Sequence, residues 1–485
     1  MSATGVSLVV QALAFFRQLL IAAYFGIGRD FDSYVVVYAV ATFAVFTFGA
    51  IFDSVAVPHL VRVREKEGVA SARALASSIF RISVGLGAIA SVIFLVALPL
   101  LAPIIATGFS TTERTGLVDL GFYFLPWTFI CLPYYAAAAR HKMEWRFNKV
   151  FVAEIGIIIV SICALVLWHD GIEYLPLAYA LGYAVGLGQL IVGENLIWPN
   201  ERRAQSSRGI LRNIAELFGA NQTGSLASVA DRHIQSFVPT GGIGAINYSA
   251  QLVTALSVLL TFREVFIVPL AQEFDRTVKL ERLLCGLTLV AVPITGIVAC
   301  FAPDIVTILF QRGRFDAAAS VLTSEVFRIG AMGIAISALN APLFRMFQIL
   351  DRIHLINWVY AAIAISTLAF GYLFVVLLGF GVQGVAWMQL GAAIVGTTVT
   401  AYLVSRCGVE LNWVRIGRHI GFALVITIPA YVAAVVISGL FHGSWARLVV
   451  GGSAYGLIVC TFYFIARARF LAVVFGTEWT KTQLK

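Results

Sequence analysis

Long apolar runs separated by short polar connections dominate this sequence. Each run holds enough apolar residues for a helix that crosses about 30 Å of hydrocarbon. The pattern predicts an all-α chain with fourteen transmembrane spans, near 5–25, 33–60, 75–104, 118–138, 150–168, 174–198, 214–238, 243–270, 283–311, 320–348, 354–379, 382–405, 416–440 and 445–466. The first run starts near Gly5 with neither a basic segment nor a small-residue cleavage site, so no cleavable signal is expected.

Basic residues alternate between the two sets of connections and so predict the orientation. Twenty-three lie on one side, in 62–73, 140–149, 202–212, 276–282, 352, 406–418 and 467–485. Five lie on the other side: Arg29, Arg114, Arg312, Arg314 and Arg447. By the positive-inside rule, both termini are predicted to be cytoplasmic. Six more lie within spans or near their ends: Arg17, Arg81, Arg232, Arg263, Arg328 and Arg345.

An internal repeat follows from the same layout. Asp53 precedes Pro58 by five positions at the end of the second span, and Glu264 precedes Pro269 likewise at the end of the eighth. An offset of six helices preserves orientation, which predicts two parallel six-helix lobes. The predicted organisation is an N-terminal lobe over 1–199, a cytoplasmic linker over 200–212, a C-terminal lobe over 213–406, two further helices within 407–469 and a cytoplasmic tail over 470–485.

Composition sets the class of protein. Sixty per cent hydrophobic residues and a mean hydropathy of +0.90 are typical of a polytopic membrane protein. The net charge of +9 is explained by the basic connections, so no nucleic-acid partner is expected. The cysteines and histidines show no metal-ligand spacing, and no nucleophile with an acid–base pair is present. The sequence therefore favours a transporter over an enzyme, with no cofactor and with Na⁺, H⁺ or the membrane potential as the driving force.

Polar residues form a stripe along the seventh and eighth spans. The seventh carries, at steps of four, three, four and three, Asn221, Ser225, Ser228, Arg232 and Gln235. The eighth carries in one sector Gln251, Thr254, Ser257, Thr261 and Glu264, with Arg263 outside that sector. A charged face towards lipid is costly, which predicts that these faces line a water-filled cavity or a helix seam. Serine and threonine hydroxyls also bond to their own helix or to neighbouring helices, and that alternative stays open for them.

Charged groups also stand inside other apolar runs. Arg17 lies midway along the first span, with Gln11 nearby. Its guanidinium is suited either to pairing with a buried carboxylate or to meeting an anionic substrate, because it offers a planar fork of donors. Glu154 and Glu194 lie near predicted helix ends and are expected to reach water.

Three groups of motifs then point to a family. They are Phe16-Arg17-Gln18 with Tyr24-Phe25-Gly26 and Asp32-Ser33-Tyr34; 230–237 with 244–250; and Ala302-Pro303-Asp304 with 309–316. The chain resembles the MurJ/MviN lipid II flippases in these segments. The resemblance implies the fold of the MOP (multidrug/oligosaccharidyl-lipid/polysaccharide) exporters in the bacterial inner membrane, with two six-helix lobes around a central cavity and two C-terminal helices.

The polar stripes, the charged groups within spans and the family motifs together give a candidate site. The substrate-binding residues are expected to be Arg17, Asp32, Asp231, Arg232, Gln251, Arg263 and Glu264, and the cavity-lining residues Gln11, Asp53, Asn221, Ser225, Ser228, Gln235 and Thr254. The family tends to place arginines at the positions of Gln11 and Gln251, so the pocket is expected to hold fewer cationic side chains here. We therefore expect a flippase for a polyprenyl-(pyro)phosphate-linked glycan that serves an exopolysaccharide or another cell-surface glycan.

Three other interpretations remain open. The first is a lipid II flippase with an altered pocket. The second is a drug exporter of the same fold, in which Asp53 and Glu264 bind a small cation. The third is a scaffold without transport activity that partners the glycan-synthesis machinery, since a fold does not fix a function.

Overall fold

The computed structural model describes residues 3–51, 56–194, 227–261, 276–350 and 352–465, and these form helices without any strand. The chain divides into two compact units, Met1–Gly241 and Gly242–Lys485. The predicted linker over 200–212 and the tail over 470–485 lie outside the described residues, so the predicted lobe boundaries stay a prediction.

The first unit is a bundle of long apolar helices. In chain order they are α1 (Ala3–Phe25), α2 (Arg29–Ile51), α3 (Val57–Ile105), α4 (Thr111–Phe122), α5 (Leu125–Met143), α6 (Phe147–Leu167), α7 (Tyr174–Ile191) and α8 (227–235). Helix α5 packs against α3 and α7, and α6 packs against α7 and α1. The buried run Ala136-Ala137-Ala138 on α5 lets neighbouring helices approach closely, as small residues do in membrane bundles.

The second unit is organised around its longest helix. Its elements are α9 (Gly242–Thr261), α10 (Arg276–Cys300), α11 (Ala302–Phe310), α12 (Ala317–Ile349), α13 (Leu355–Gly371) with a π-helical end (Tyr372–Leu377), α14 (Gly381–Arg406), α15 (Trp413–Ser438) and α16 (Ser444–Ile465). Helix α12 packs against α9, α10 and α14. Helix α15 packs against α10 and α16, and α16 packs against α11, so the last two helices join this unit through α10 and α11.

Each of the fourteen predicted spans overlaps at least one of these helices. In the part of the chain that the structure describes, nine helices are long and apolar enough to cross a membrane, and the number is ten if α4 and α5, bent by 43°, form one span. The predicted class, an all-α polytopic membrane protein, is confirmed.

One predicted connection and one predicted span differ from the structure. The basic segment 62–73 was expected to be a loop, but α3 continues through it and is interrupted only at Gly68, where φ is +90°. A glycine adopts this backbone conformation at little steric cost, which lets the helix change direction there. The span predicted over 283–311 is two helices that break at Phe301, and Pro303 occupies the first turn of α11, where its missing N–H costs no helical hydrogen bond.

Candidate functional site

Arg17 on α1 lies inside the first unit and is half-buried. Its Nη1 donates to the Ser161 hydroxyl on α6 at 3.2 Å, and its guanidinium lies 4.3 Å from the ring centre of Tyr179 on α7. Within the described residues, no carboxylate forms an ion pair with Arg17. Both contacts are neutral, so the positive charge is held in place without being cancelled.

The aromatic side chains beside Arg17 form a closed cluster. The ring centre of Tyr38 lies 5.6 Å from that of Trp127 and 6.2 Å from that of Tyr179, and Tyr34 lies against Phe124 at 5.5 Å. Trp127 and Tyr179 are almost fully buried. The cluster is therefore part of the helix seam, and it fixes the place of the guanidinium more than it offers an open face for stacking.

The polar groups of α8 bond to one another along the helix. Gln235 donates from Nε2 to Asp231 Oδ2 at 2.7 Å, and Arg232 donates from Nη1 to Gln235 Oε1 at 2.5 Å. Gln235 is almost fully buried, while Asp231 and Arg232 are half-buried. The Gln235 amide thus bonds to both the Asp231 carboxylate and the Arg232 guanidinium. These bonds order the polar side chains of α8 before any ligand binds.

The end of α8 is fixed within the first unit. His233 Nδ1 lies 2.6 Å from the Ile104 carbonyl of α3, and Ser236 Oγ accepts from the Gly108 N–H at 3.2 Å. Asp32 at the start of α2 is fully buried, and its Oδ2 accepts from the Gly241 N–H at 2.7 Å. The structure therefore gives Asp32 a role in holding the chain after α8, and direct substrate contact by Asp32 stays a prediction.

The remaining predicted site residues fall into two groups. Gln11 and Ser228 are exposed, Gln251 is half-buried, and Thr254 is exposed with its hydroxyl donating to the Ala250 carbonyl at 2.8 Å. Outside the described residues lie Asp53, Asn221, Ser225, Arg263 and Glu264. Their predicted roles, and the predicted acidic repeat of Asp53 and Glu264, therefore stay predictions.

Thr254 also lines a cavity of about 490 Å³ in the second unit, between α9, α12 and α13. Arg345, another lining residue, is predicted from the sequence to lie within a span or near its end and has no predicted role. The sequence does contain a sign of this polar face, because hydrogen-bonding residues recur along 337–348: Ser337, Asn340, Arg345 and Gln348. Ser161 and Tyr179, which hold Arg17, could not have been found in this way, because each stands on a different helix.

A charged cluster closes the predicted cytoplasmic end of the first unit. Glu194, just after α7, contacts Arg140 Nη2, Arg146 Nη1 and Lys149 Nζ, each at 2.8 Å. The expectation that Glu194 reaches water is wrong, because its side chain is only 9% exposed. Burial alone would raise the pKa of this carboxyl, but the hydrogen bond from Lys149 and the charge of Arg140 outweigh that effect and leave the pKa below its ordinary value.

Metal ligation finds no support in the described ranges: no group of three or more histidine, cysteine, aspartate or glutamate side chains is arranged to hold an ion there.

Sequence comparison identifies one family. The family model described as lipid II flippase MurJ matches residues 21–453 of the 485-residue chain. No curated protein matches the chain in sequence.

Solved structures with the same fold are membrane transporters. A lipid II flippase MurJ in its inward closed conformation is similar with a TM-score of 0.77 and 16% identity, covering 96% of this chain and 99% of that chain. An inward-facing multidrug resistance MATE family transporter of the MOP superfamily gives 0.59 and 14%, covering 82% and 95%. A MOP superfamily transporter from Pyrococcus furiosus, described as having a binding pocket of reverse polarity, gives 0.54 and 17%, covering 84% and 93%. At these identities the likeness concerns the fold.

Proposed function

Because the chain belongs to the MurJ lipid II flippase family, we propose that it is a flippase that moves a polyprenyl-(pyro)phosphate-linked glycan across the bacterial inner membrane. The family match over 21–453 is the observation that carries this proposal. In it, both termini are cytoplasmic, the headgroup enters from the cytoplasmic side and the prenyl tail stays in the lipid. Rocking of one half of the protein against the other exposes the headgroup to each side in turn.

Arg17 is the residue to which we assign the phosphate. Its guanidinium is held by the Ser161 hydroxyl and the Tyr179 ring, and among the described residues no carboxylate pairs with it. A phosphate can accept two parallel hydrogen bonds from one guanidinium, which a lysine ammonium cannot offer in the same plane. The polar stripe of Asp231, Arg232 and Gln235 supplies donors and acceptors for sugar hydroxyls.

The driving force in this proposal is the membrane potential or a gradient of Na⁺ or H⁺. An inside-negative potential favours outward movement of an anionic headgroup. Each elementary charge that crosses the full potential gains about 2.3 kcal/mol per 100 mV. A pyrophosphate carries enough charge for this term to bias the direction of transport.

For the substrate, we propose a glycan other than peptidoglycan, such as an exopolysaccharide precursor. Neutral Gln11 and Gln251 supply no charge to a pyrophosphate. Lipid II is the second candidate, because the matching family is described by that activity. The glycan-synthesis machinery of the same cell is the protein partner that this proposal implies.

The test uses the purified full chain in liposomes that contain a fluorescent polyprenyl-pyrophosphate glycan. A membrane-impermeant quencher reports how much label is exposed outside. The proposal expects translocation to exceed that of protein-free liposomes and to be lost in Arg17→Ala. Equal rates with and without protein for both the exopolysaccharide precursor and lipid II would overturn it. Uptake of ethidium under an ion gradient would instead support the cation-exporter alternative.

A further inference from the structure

The cavity between α9, α12 and α13 lies wholly inside the second unit and has a mixed lining. Its volume is about 490 Å³. The hydrogen-bonding side chains that line it are Thr254, Ser257, Ser337, Asn340, Arg345, Gln348 and Tyr360. Of these, Thr254 and Ser257 belong to the polar sector that the sequence predicts for the eighth span.

Helical spacing explains why these groups meet. On α12 the lining positions are 337, 340, 341, 344, 345 and 348, which recur every three or four residues and therefore share one face. Val253, Thr254 and Ser257 contribute one face of α9, and Val359, Tyr360 and Ile363 contribute one face of α13. Side chains of three helices thus meet around a common space, with most of the polar groups coming from α9 and α12 and one hydroxyl, that of Tyr360, from α13.

Arg345 gives this space a positive charge. It is half-buried, and its Nη1 donates to the neutral amide oxygen of Gln348 at 2.7 Å. Over the residues that the structure describes, no carboxylate forms an ion pair with Arg345. A charge inside a membrane helix is costly and is usually matched by a counter-charge or by a ligand.

Asn340 contributes a buried hydrogen-bond acceptor to the lining of this cavity. Its Oδ1 is buried and has no hydrogen-bond partner among the described residues. A buried acceptor without a partner costs free energy that a bound hydroxyl or water would recover. The cavity therefore presents a cation for an anion and an acceptor for a hydroxyl.

A second cavity in the same unit gives a useful contrast. It measures about 610 Å³ and is lined mainly by apolar side chains of α10, α12, α14 and α15, among them Leu284, Leu343, Ile394 and Ile420. Among the residues that the structure describes, no charged side chain lines it. The apolar cavity suits hydrocarbon, whereas the cavity beside Arg345 suits a polar anion.

We propose that the cavity around Arg345 and Asn340 is a headgroup subsite for a phosphorylated saccharide. The inference rests on the proposed flippase function, because that function supplies a ligand that carries both phosphate and hydroxyl groups. Arg345 binds a phosphate oxygen, Asn340 Oδ1 accepts from a sugar hydroxyl, and Thr254 and Tyr360 line the remaining wall. In this arrangement the second unit offers a cation of its own to a phosphate group.

The test measures binding of farnesyl pyrophosphate and inorganic pyrophosphate to the full chain in detergent by isothermal titration calorimetry. Arg345→Gln should weaken farnesyl pyrophosphate binding about ten- to a hundredfold, as expected when one charge-assisted hydrogen bond is lost. Gln348→Glu is the sharper variant, because it places a carboxylate on Arg345 at 2.7 Å without removing the arginine. It should cause a loss of similar size. Arg418→Gln, which removes one exposed arginine of the same unit, is the matched control and should leave the affinity unchanged.

The outcomes separate this subsite from the flippase proposal. Unchanged affinity in both Arg345→Gln and Gln348→Glu overturns the subsite, while translocation by the parent protein in liposomes still tests the flippase function independently. If inorganic pyrophosphate binds as tightly as farnesyl pyrophosphate, the lipid is not the source of the phosphate that this subsite recognises. Arg345-dependent binding with no translocation overturns the flippase function and leaves an anion site.

Discussion

Asp32 Oδ2 accepts a hydrogen bond from the backbone N–H of Gly241 at 2.7 Å, across 209 positions of sequence. Asp32 is fully buried at the start of α2, and Gly241 adopts a φ of +83° in the chain after α8. The pair fixes the end of the polar helix α8 to the beginning of α2 within the first unit. A glycine suits this position because its left-handed backbone conformation would strain a larger residue.

We expect Asp32→Ala to destabilise the protein by about 1–3 kcal/mol, because the hydrogen bond is lost and the Gly241 N–H is left buried without it. Asp32→Asn should cost less, since an amide oxygen can still accept. The melting temperature of the purified protein in detergent measures the effect. Asp30→Asn, at an exposed position in the same turn, is the control. Equal melting temperatures for Asp32→Ala and Asp30→Asn would contradict the prediction.

We expect Arg17→Ala to abolish glycan translocation while the protein still inserts and folds. Arg17→Lys should restore part of the activity, because a point charge replaces the charge but not the bidentate fork. Translocation in liposomes and the melting temperature are the two readouts. Arg62→Ala, which removes an exposed arginine of the first unit, serves as the control and should leave translocation unchanged. Full activity in Arg17→Ala would refute the assigned role.

Labelling of single cysteines tests the proposed orientation. Glu67→Cys, exposed in the helical segment near Gly68, should react with a membrane-impermeant maleimide only after the cells are opened. Gln311→Cys, exposed after α11, should react in intact cells. The expectation follows from the alternation of basic connections. The parent protein, with its six cysteines, sets the background signal. Reaction of Glu67→Cys in intact cells would reverse the orientation.

Glu194→Gln should lower stability by up to about 3–5 kcal/mol, because the buried guanidinium of Arg140 loses its nearest carboxylate. The pKa of Glu194 in the folded protein lies below its ordinary value of 4.5. The stabilisation by the ion pairs of Glu194 is therefore fully present above about pH 4.5. It is lost as the pH falls through the lower pKa that Glu194 has in the folded protein. Melting temperatures of the parent and Glu194→Gln should converge at acidic pH.

Glu65→Gln, at an exposed position, controls for the loss of one negative charge near the same end of the first unit. It should melt like the parent protein at every pH. If the difference between the parent and Glu194→Gln stayed constant down to strongly acidic pH, the ion pairs of Glu194 would not be the cause of the stabilisation.

The last prediction concerns the substrate. We expect the protein not to replace an essential lipid II flippase in a depletion strain, and we expect Gln11→Arg with Gln251→Arg to restore some growth. Two charge-assisted hydrogen bonds to a pyrophosphate together account for more than about a hundredfold in affinity. Colony formation after depletion measures the outcome, with membrane levels of both proteins checked by immunoblot. Full growth with the unmodified chain would make lipid II the favoured substrate.

The sequence by itself determined the elements, the class and the family. Apolar runs long enough to span a membrane leave the backbone no alternative to helix, so each of the fourteen predicted spans overlaps a helix. The sequence could not show that α3 continues through 62–73 or that the span predicted over 283–311 breaks at Phe301. Both depend on local backbone geometry beside Gly68 and Pro303.

Only the tertiary structure decided which polar groups meet. Arg17 is held by Ser161 and Tyr179 from two other helices, and Asp32 contacts a backbone N–H far along the chain. The cavity around Arg345 and Asn340 needs three helices to form. A helical period places residues on a face, but the rotation and packing of neighbouring helices determine what that face meets.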